Sequence, residues 1–352
     1  GVDWHYLSSN GKLKMDGQTF MSDIDGVEKG YGGFVDFEYS VRQGVNQRLG
    51  IEYFDEHVDI NDLGFLSRND NFRVRAAHTR TRSDLSWARS NQFDVRGFLQ
   101  ENNDHLFTGG GVFFGNRTTF DNLTSLVLRA GFLPKAFDDL NSFGNGTYRV
   151  EQKWDFSVRY QSDTSRPLSF AFGAGFNRED LGGKSFKYEG KIEWRPTDRF
   201  SLSGALAYHD REGWLLHQDG PNFTTFDADQ WTPQFNVEYF ISAKQQFRIS
   251  FQWVGIRAKE REFFLVPSKP GDLIPTTKPP GPPDDFAISD MVVQARYRWE
   301  IAPLSDIFIV YTRTSDITTA LGNSGFGDLV SDAWNRPIGN QLVMKIRYRF
   351  GS

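Results

Sequence analysis

The sequence contains no cysteine in its 352 residues. Disulfide bonds, thiolate metal sites and a cysteine nucleophile are therefore excluded. It also lacks any apolar run that approaches the ~20 residues of a membrane-spanning helix, which excludes a helical membrane protein. A transmembrane β-barrel stays open, because its strands need apolar side chains only at alternate positions.

Charge and composition further restrict the class of protein that the sequence can encode. The 40 basic and 45 acidic residues give a net charge of −5, so the chain has no basic footprint for nucleic acid. Aromatic residues make up 15% of the chain and 34 residues are glycine, a composition typical of β-structure with tight turns. We therefore expect an all-β protein that does not bind nucleic acid.

The last segment shows the strand pattern most clearly, because strand side chains alternate between two faces. Its apolar positions are Leu342, Met344, Ile346, Tyr348 and Phe350, and the positions between them are Val343, Lys345, Arg347 and Arg349. A one-residue slip would turn the Lys and Arg side chains into lipid, where each costs about 2–4 kcal/mol at the bilayer midplane. That penalty fixes the register.

The same alternation recurs along the whole chain. It predicts strands near 2–8, 12–22, 30–41, 47–58, 71–82, 87–101, 104–118, 122–134, 147–161, 167–178, 184–195, 199–211, 229–242, 245–258, 287–300, 304–315 and 338–350. We expect one domain over 1–352, a transmembrane antiparallel outer-membrane β-barrel with about 16–18 visible strands. The predicted count is odd, whereas bacterial barrels usually have even counts, so either a strand is miscounted or strands upstream of Gly1 are missing.

The predicted connections alternate between short and long. Short ones lie near 9–11, 43–46, 83–86, 162–166, 196–198, 243–244 and 302–303, and long ones near 59–70, 135–146, 212–228, 259–286 and 317–337. Short periplasmic turns and long outer loops are the outer-membrane arrangement. A soluble sandwich also alternates apolar and polar positions. It has no reason for this asymmetry, for strands this long, or for apolar faces that end in Tyr or Trp, as at Trp194, Trp253 and Trp299.

One loop and both ends of the chain resemble a known family. The segment DINDLGFLSRND (59–70) follows IEYFDEHV and precedes NFRVRAAHTRTR, the chain opens with GVDWHYLSSNGKLKMDGQ, and it closes with QLVMKIRYRF. These segments resemble large bacterial outer-membrane proteins with an N-terminal domain similar to family-9 carbohydrate-binding modules and a C-terminal barrel. The resemblance implies that this chain is the barrel and that the other domain precedes Gly1. Its family-like loop residues are Asn61, Asp62, Gly64, Phe65, Arg68 and Asp70.

The terminal aromatic residues match a more general pattern. Outer-membrane barrels typically end in an alternating strand with a C-terminal aromatic, and Tyr348 and Phe350 fit that insertion signal. The barrel assembly machinery is therefore an expected partner, beside outer-membrane lipid and other outer-membrane or surface proteins. Gly351 and Ser352 follow the signal.

Charged residues on the predicted lumen face are the candidate functional residues. They are Asp155, Arg159, Lys187, Glu189, Lys191, Glu193, Arg195, Arg296, Arg298, Glu300, Lys345, Arg347 and Arg349. One hypothesis is a water-filled pore whose charges select solutes, with a weak preference for anions near the last strand. The alternative is a structural network across strands or against a plug.

Two kinds of loop carry further hypotheses. The segment 259–286 holds seven of the 14 prolines, so we expect an extended segment that is not a strand and that covers the pore, grips a partner or stays disordered. The acidic loops around Asp23, Asp59 and Asp219 match no defined calcium-binding spacing. We expect no metal and no cofactor.

No nucleophile-elbow motif accompanies the six histidines, so we expect no enzyme. His209 and Asp210 are adjacent and point to opposite faces, which leaves no triad to assemble. The leading hypothesis is a pore or gated channel in the bacterial outer membrane. The alternatives are an anchoring barrel in a larger surface or secretion complex and, third, an outer-leaflet hydrolase.

Overall fold

The computed structural model describes residues 1–26, 28–60, 66, 68–278 and 280–350. Strands make up 68% of the chain. The first strands are β1 (Val2–Leu7), β2 (Leu13–Ser22), β3 (Gly30–Arg42), β4 (Val45–Phe54), β5 (Asn71–Arg82), β6 (Ser90–Glu101), β7 (Phe107–Thr119), β8 (Ser125–Leu133), β9 (Ala136–Asp138) and β10 (Tyr148–Val150). The remaining elements are β11 (Lys153–Gln161), β12 (Leu168–Arg178), β13 (Lys184–Thr197), β14 (Phe200–His217), β15 (Asn222–Ser242), β16 (Gln245–Leu265), β17 (Gly271–Asp272), β18 (Ile274–Thr276), β19 (Phe286–Ala302), β20 (Ser305–Ala320), α1 (Phe326–Asn335) and β21 (Gly339–Arg347).

The main sheet is an antiparallel meander. Each strand pairs with the next along the chain, except that β8 pairs with β11 and β16 with β19. The short strands β9, β10 and β17 form a separate sheet, and β18 pairs with the end of β16. In the described part of the chain β1 pairs only with β2 and β21 only with β20, so the sheet is not closed between its edges. The all-β antiparallel prediction is confirmed, whereas closure is not seen.

The connections differ between the two ends of the sheet, as predicted. At one end, which we call the short-turn end, two residues join β3 to β4 (43–44), β13 to β14 (198–199), β15 to β16 (243–244) and β19 to β20 (303–304). Gly44 has a φ of 74°, a left-handed conformation that glycine adopts without strain. The other end, the long-loop end, carries α1 and the short strands β9, β10, β17 and β18. No helix in the described residues is long and apolar enough to cross a membrane.

Three predicted loops and one predicted strand are wrong in detail. The segment 212–228 is mostly strand, because β14 runs to His217 and β15 begins at Asn222, where buried Phe223 and Phe226 supply packing that period-2 patterning did not reveal. The proline-rich segment contains β17 and β18, since Pro275 lies on an edge strand that tolerates a missing N–H. The segment 317–337 continues β20 and then forms α1, and residues 148–150 leave the predicted strand to pair as β10.

The two faces of the sheet differ in kind. We call the apolar face the one that carries Leu342, Met344 and Ile346, whose partners in register on β20 are Tyr311, Ile309 and Ile307. The polar face carries Lys345 and Arg347. Apolar side chains in the middle of the apolar face are exposed. Phe156, Phe172 and Tyr188 lie on three adjacent strands and are 51%, 58% and 52% exposed.

Buried apolar clusters occur at the long-loop end of the sheet. One joins Tyr148 of β10 to Phe223 of β15. A second surrounds Phe226, and a third joins α1 to Trp253 and Met291. Trp253, expected as an exposed interfacial residue, is therefore buried beneath α1, whereas Trp194 and Trp299 are exposed as expected. These clusters pack around the loops and leave the middle of the apolar face uncovered.

Candidate functional site

The polar face is the candidate site, because the strand register gathers charged side chains there. Arg159 on β11 lies opposite Gly173 on β12, which lies opposite Glu189 on β13. The guanidinium of Arg159 reaches across the glycine and forms an ion pair with Glu189. A Cβ at Gly173 would approach the Glu189 Oε1 atom to 2.9 Å, so the glycine leaves room for the pair.

The same arrangement occurs on β3, β4 and β5. Asp36, Gly50 and Arg75 are opposite one another in register, and the Arg75 Nη2 atom donates to Asp36 Oδ1 at 2.9 Å across Gly50. A Cβ at Gly50 would collide with both side chains. Each of these two ion pairs on the polar face thus spans three strands, with glycine at the middle position.

Several predicted lumen-face residues line one cavity on the polar face. Its volume is about 370 Å³, and its lining includes Arg159, Lys187, Glu189, Lys191 and His209. Lys191 pairs with Glu193 on the same strand, at 2.5 Å between Nζ and Oε1. Asp155 lies on the same face, because a Cβ at its register partner Gly131 would collide with it. The register therefore brings these predicted residues together.

A second group forms a cluster at the short-turn end. Asp306 of β20 is buried and accepts from the guanidinium of Arg298 at 2.9 Å and from that of Arg347 at 2.5 Å. Glu300 is the register partner of Asp306. One carboxylate thus ties β19, β20 and β21 together.

The other predicted residues are more dispersed. Arg296 donates to the side chain of Gln294 on its own strand. Lys345 is the register partner of Phe308, and Arg195 donates to the carbonyl of Thr164 at 2.5 Å. Arg349 lies beyond β21, where its backbone N–H donates to the Ser305 hydroxyl at 3.0 Å. These residues do not join either of the two groups above.

The sequence interpretation missed a cluster of arginines on β4, β5 and β6. It lines a cavity of about 700 Å³ together with three carboxylates: Arg48, Arg73, Arg75 and Arg96, with Asp16, Asp36 and Glu38. Phe98 and Phe113 stack there with ring centroids 6.3 Å apart, and the Arg73 guanidinium lies 4.6 Å from the Phe98 ring centroid. Alternating arginines in NFRVRAAHTRTR were a visible signal. Their carboxylate and aromatic neighbours could not be recognised in the sequence, because strand register brings them together.

The family-like loop residues that the structure describes hold loops together. The guanidinium of Arg68 donates to both carboxylate oxygens of Asp139, at 2.9 and 2.7 Å, and the two side chains are only 12% and 13% exposed. Asn102 donates to the same carboxylate at 3.1 Å, and Asp70 Oδ1 accepts the backbone N–H of Asn103 at 2.7 Å. Three connections meet at this point. Asn61, Asp62, Gly64 and Phe65 lie outside the described residues.

Another buried ion pair lies near the long-loop end. The Arg211 guanidinium donates to both oxygens of Glu179, at 2.9 and 2.8 Å. Burial raises the pKa of the Glu179 carboxyl, but the hydrogen bonds from Arg211 and Ser185, together with the positive charge of Arg211, outweigh burial and hold the pKa below its usual range. The carboxylate is therefore charged at neutral pH and acts as a structural acceptor.

The proline-rich segment is tied back to β16 by a similar group of charges. The ammonium of Lys278 pairs with Glu260 and, at 3.1 Å, with Asp284. Burial lowers the pKa of Lys278, but the hydrogen bonds to Glu260 and Asp284, together with the negative charges of these carboxylates, outweigh burial and raise the pKa. The backbone N–H of Asp284 also donates to Glu260 Oε2 at 2.6 Å. The proline-rich segment is thus anchored to Glu260 of β16 at two positions, Lys278 and Asp284.

The histidine of the hydrolase alternative has a serine partner. The ring of His209 lies 2.7 Å from the Ser185 hydroxyl, and Ser185 is fully buried. A buried hydroxyl offers a substrate no access, so this contact does not form a usable nucleophile. Within the described ranges, no three His, Asp or Glu side chains gather as metal ligands would. At the C-terminus, the rings of Tyr348 and Phe350 meet edge to face with centroids 4.9 Å apart, and both are exposed.

The fold and the site define an all-β protein whose antiparallel sheet has one exposed apolar face and one ion-paired polar face. The family model described as "Domain of unknown function (DUF5916)" matches residues 1–350, and the chain belongs to that family. No curated protein matches the sequence. Among solved structures, the siderophore receptor PirA from Acinetobacter baumannii is similar, with a TM-score of 0.45 and 8% identity over 98% of this chain and 69% of that chain.

Proposed function

We propose that the sheet is the wall of a bacterial outer-membrane β-barrel and that its polar face lines a passage for solutes, open or gated. The observation that carries this proposal is the uncovered apolar face. Apolar surface left in water costs roughly 25 cal/mol per Å², so large exposed rings on adjacent strands need an apolar environment. Lipid acyl chains supply that environment.

The rival interpretation is a soluble β-protein. A soluble sandwich covers its apolar face with a second layer about 10 Å away. In this chain the buried clusters lie at the long-loop end, and Phe156, Phe172 and Tyr188 stay exposed in mid-sheet. The strand lengths agree with the membrane interpretation, since β21 has nine residues and a spanning strand needs about 9–11.

The polar face supports a water-filled interior. Several of its charges are paired across strands, and the others face the cavities on that side of the sheet, as charged groups in a hydrated lumen would. The cavity beside Arg73, Arg75 and Arg96 presents more guanidinium than carboxylate groups, which favours anionic solutes. Stacked Phe98 and Phe113 add an apolar surface for a planar group on such a solute.

The expected partners follow from this assignment. Outer-membrane lipid would cover the apolar face, and the barrel assembly machinery would read exposed Tyr348 and Phe350. The resemblance to barrels that follow a carbohydrate-binding-module-like domain stays a prediction. So does the expectation that the chain is no enzyme.

Conductance across planar bilayers tests the passage. The folded chain should give discrete current steps when added to one side of a phosphatidylcholine bilayer. Protein that inserts, as judged by protease protection in vesicles of the same lipid, but gives no current would refute an open passage while leaving the barrel intact. Protein that fails to insert would refute the barrel.

A second candidate function is an anchor for a larger surface complex. The observation that favours it is the layer built at the long-loop end, where β10, β17 and the Arg68–Asp139 pair hold several connections in place. Such an ordered layer offers a partner a fixed surface. Stoichiometric co-purification of a surface protein from native outer membranes, lost when Arg68 and Asp139 are both replaced by alanine, would favour the anchor.

A further inference from the structure

The helix α1 packs on the apolar face, at a level along the strands that the strand register defines. Trp253 on β16 is the register partner of Met291 on β19, and Met291 is the partner of Ser315 on β20. Trp253 and Met291 are buried against Leu329 and Ala333 of α1. The same face carries Phe247, Tyr297 and Ile309 nearer the short turns, because these positions share the parity of Trp253 in the continuous register. The helix therefore covers the outer end of the face that we assign to lipid.

The axis of α1 runs across the strands. Phe326, its first residue, contacts Trp231 on β15 and Trp253 on β16, whereas Trp334, near its end, contacts Arg313 on β20. The three strand spacings from β15 to β20 amount to roughly 14 Å. The eight residue steps from Phe326 to Trp334 advance a helix by about 12 Å. The helix thus lies parallel to the rim of the sheet.

Two polar side chains on the apolar face, Ser289 and Arg313, form hydrogen bonds to this helix. The Ser289 hydroxyl donates to the Leu329 carbonyl at 2.7 Å and accepts from Trp253 Nε1 at 2.9 Å. The Arg313 guanidinium donates to the Trp334 carbonyl and lies 5.0 Å from the Trp334 ring centroid. An arginine directed into the hydrocarbon core would be costly, so the core must end before this level.

The distance along β20 from the short turn to α1 agrees with the thickness of a bilayer. From Ser305, at the short turn, to Arg313, β20 spans as many residues as the nine of β21. A membrane-spanning strand needs about 9–11 residues. The helix thus begins where the hydrocarbon should end.

Exposed apolar groups lie near the end of α1 and just after it. Trp334 is 51% exposed, and Ile338, which follows the helix and shares the parity of Leu342, is 71% exposed. Tryptophan concentrates at the level of lipid head groups, because its ring is apolar and its N–H is polar. An amphipathic helix that lies in the plane of the interface buries its apolar residues there.

We propose that α1 is an interfacial helix, seated on the outer wall of the barrel at the head-group level of the outer leaflet, with Trp334 and Ile338 in contact with lipid. This assignment rests on the proposed function, since it requires that the apolar face be in a membrane. It defines an interaction surface for lipid at the rim, separate from the polar face.

Single-cysteine labelling tests the proposal, since the native chain has no cysteine to remove. Nitroxide labels are placed at W334C and I338C, with M344C as the control inside the bilayer and N323C, in the exposed loop before α1, as the control in water. The full chain is folded into phosphatidylcholine vesicles. Accessibility of each label to oxygen and to a water-soluble nickel complex is then compared by electron paramagnetic resonance.

Labels at Trp334 and Ile338 should have accessibility ratios between those of the two controls. A ratio equal to that at Asn323 would show α1 away from the lipid, and a ratio equal to that at Met344 would show it inside the hydrocarbon. Either result overturns the proposal. A water-exposed label at Met344 would instead overturn the membrane barrel itself. If W334C fails to fold, I338C decides alone, because Ile338 lies outside α1 and is largely exposed.

Discussion

Two adjacent residues of β21 give the sharpest test of the two-faced sheet. Val343 is the central residue of the nine in this strand, and Met344 is the next one. They point to opposite faces, with Met344 beside Ile309 on the apolar face and Val343 beside Val310 on the polar face. Arginine is introduced at each position in turn.

The two substitutions should lower the free energy of unfolding by different amounts, because the proposed barrel places Met344 in lipid and Val343 in water. If lipid covers the apolar face, Met344→Arg places a charge near the bilayer midplane and costs about 2–4 kcal/mol. That loss corresponds to a roughly 30- to 900-fold drop in the folding equilibrium constant. Val343→Arg adds a charge to a hydrated face and should change the free energy of unfolding by no more than about 0.5 kcal/mol.

The assay is reversible urea unfolding from lipid vesicles, followed by tryptophan fluorescence. Each variant is compared with the wild-type chain under the same conditions. In a soluble sheet both positions would be in water, since Met344 is 59% and Val343 is 44% exposed, and both substitutions would be mild. Equal effects of the two variants would therefore refute the assignment of the faces.

Three further predictions concern paired charges. In a double-mutant cycle, Arg68→Ala and Asp139→Ala should show a coupling of about 1.5–3 kcal/mol in unfolding, as for a hydrogen bond to a charged group, and additive effects would contradict the pairing. Because the pKa of Glu179 is lowered in the folded state, its stabilisation is present above the ordinary glutamate pKa of about 4.3 and is lost as the pH falls through the folded value. The stability advantage of the wild-type chain over Glu179→Gln should accordingly shrink below that pH, and a pH-independent difference would contradict this. Arg75→Gln, which removes a cation facing two carboxylates, should move the bilayer reversal potential toward cation preference, and an unchanged potential would separate this cavity from the conduction path.

The seventeen strands of the meander were predictable because alternation is a local property. A charge at every second position, as in Lys345 and Arg347, marks a strand and assigns its faces without knowledge of its neighbours. Turn lengths then indicated which end of each strand lies at the short-turn side. The short strands β9, β10, β17 and β18 could not be predicted in this way, because a segment of two or three residues is too short to show an alternating pattern.

The candidate site was only partly predictable, because its geometry depends on register. Arg75 and Asp36 are far apart in sequence and meet only because Gly50 lies between them on β4. The helix α1 had a local signal that the loop interpretation passed over. Phe326, Leu329, Val330 and Ala333 follow the spacing of one helical face, within the segment 317–337 that was predicted as a long loop between two strands.

The topology also has a consequence for how the chain folds. Each strand of the main sheet pairs with its predecessor, and even the widest gaps, from β8 to β11 and from β16 to β19, close over single loops. The entropy of loop closure is therefore spent in small, similar steps, and the sheet can grow hairpin by hairpin. At every stage one new edge, with unpaired backbone groups, is open to aggregation. A folding factor that protects this chain therefore needs to shield that advancing edge as well as the free edge of β1.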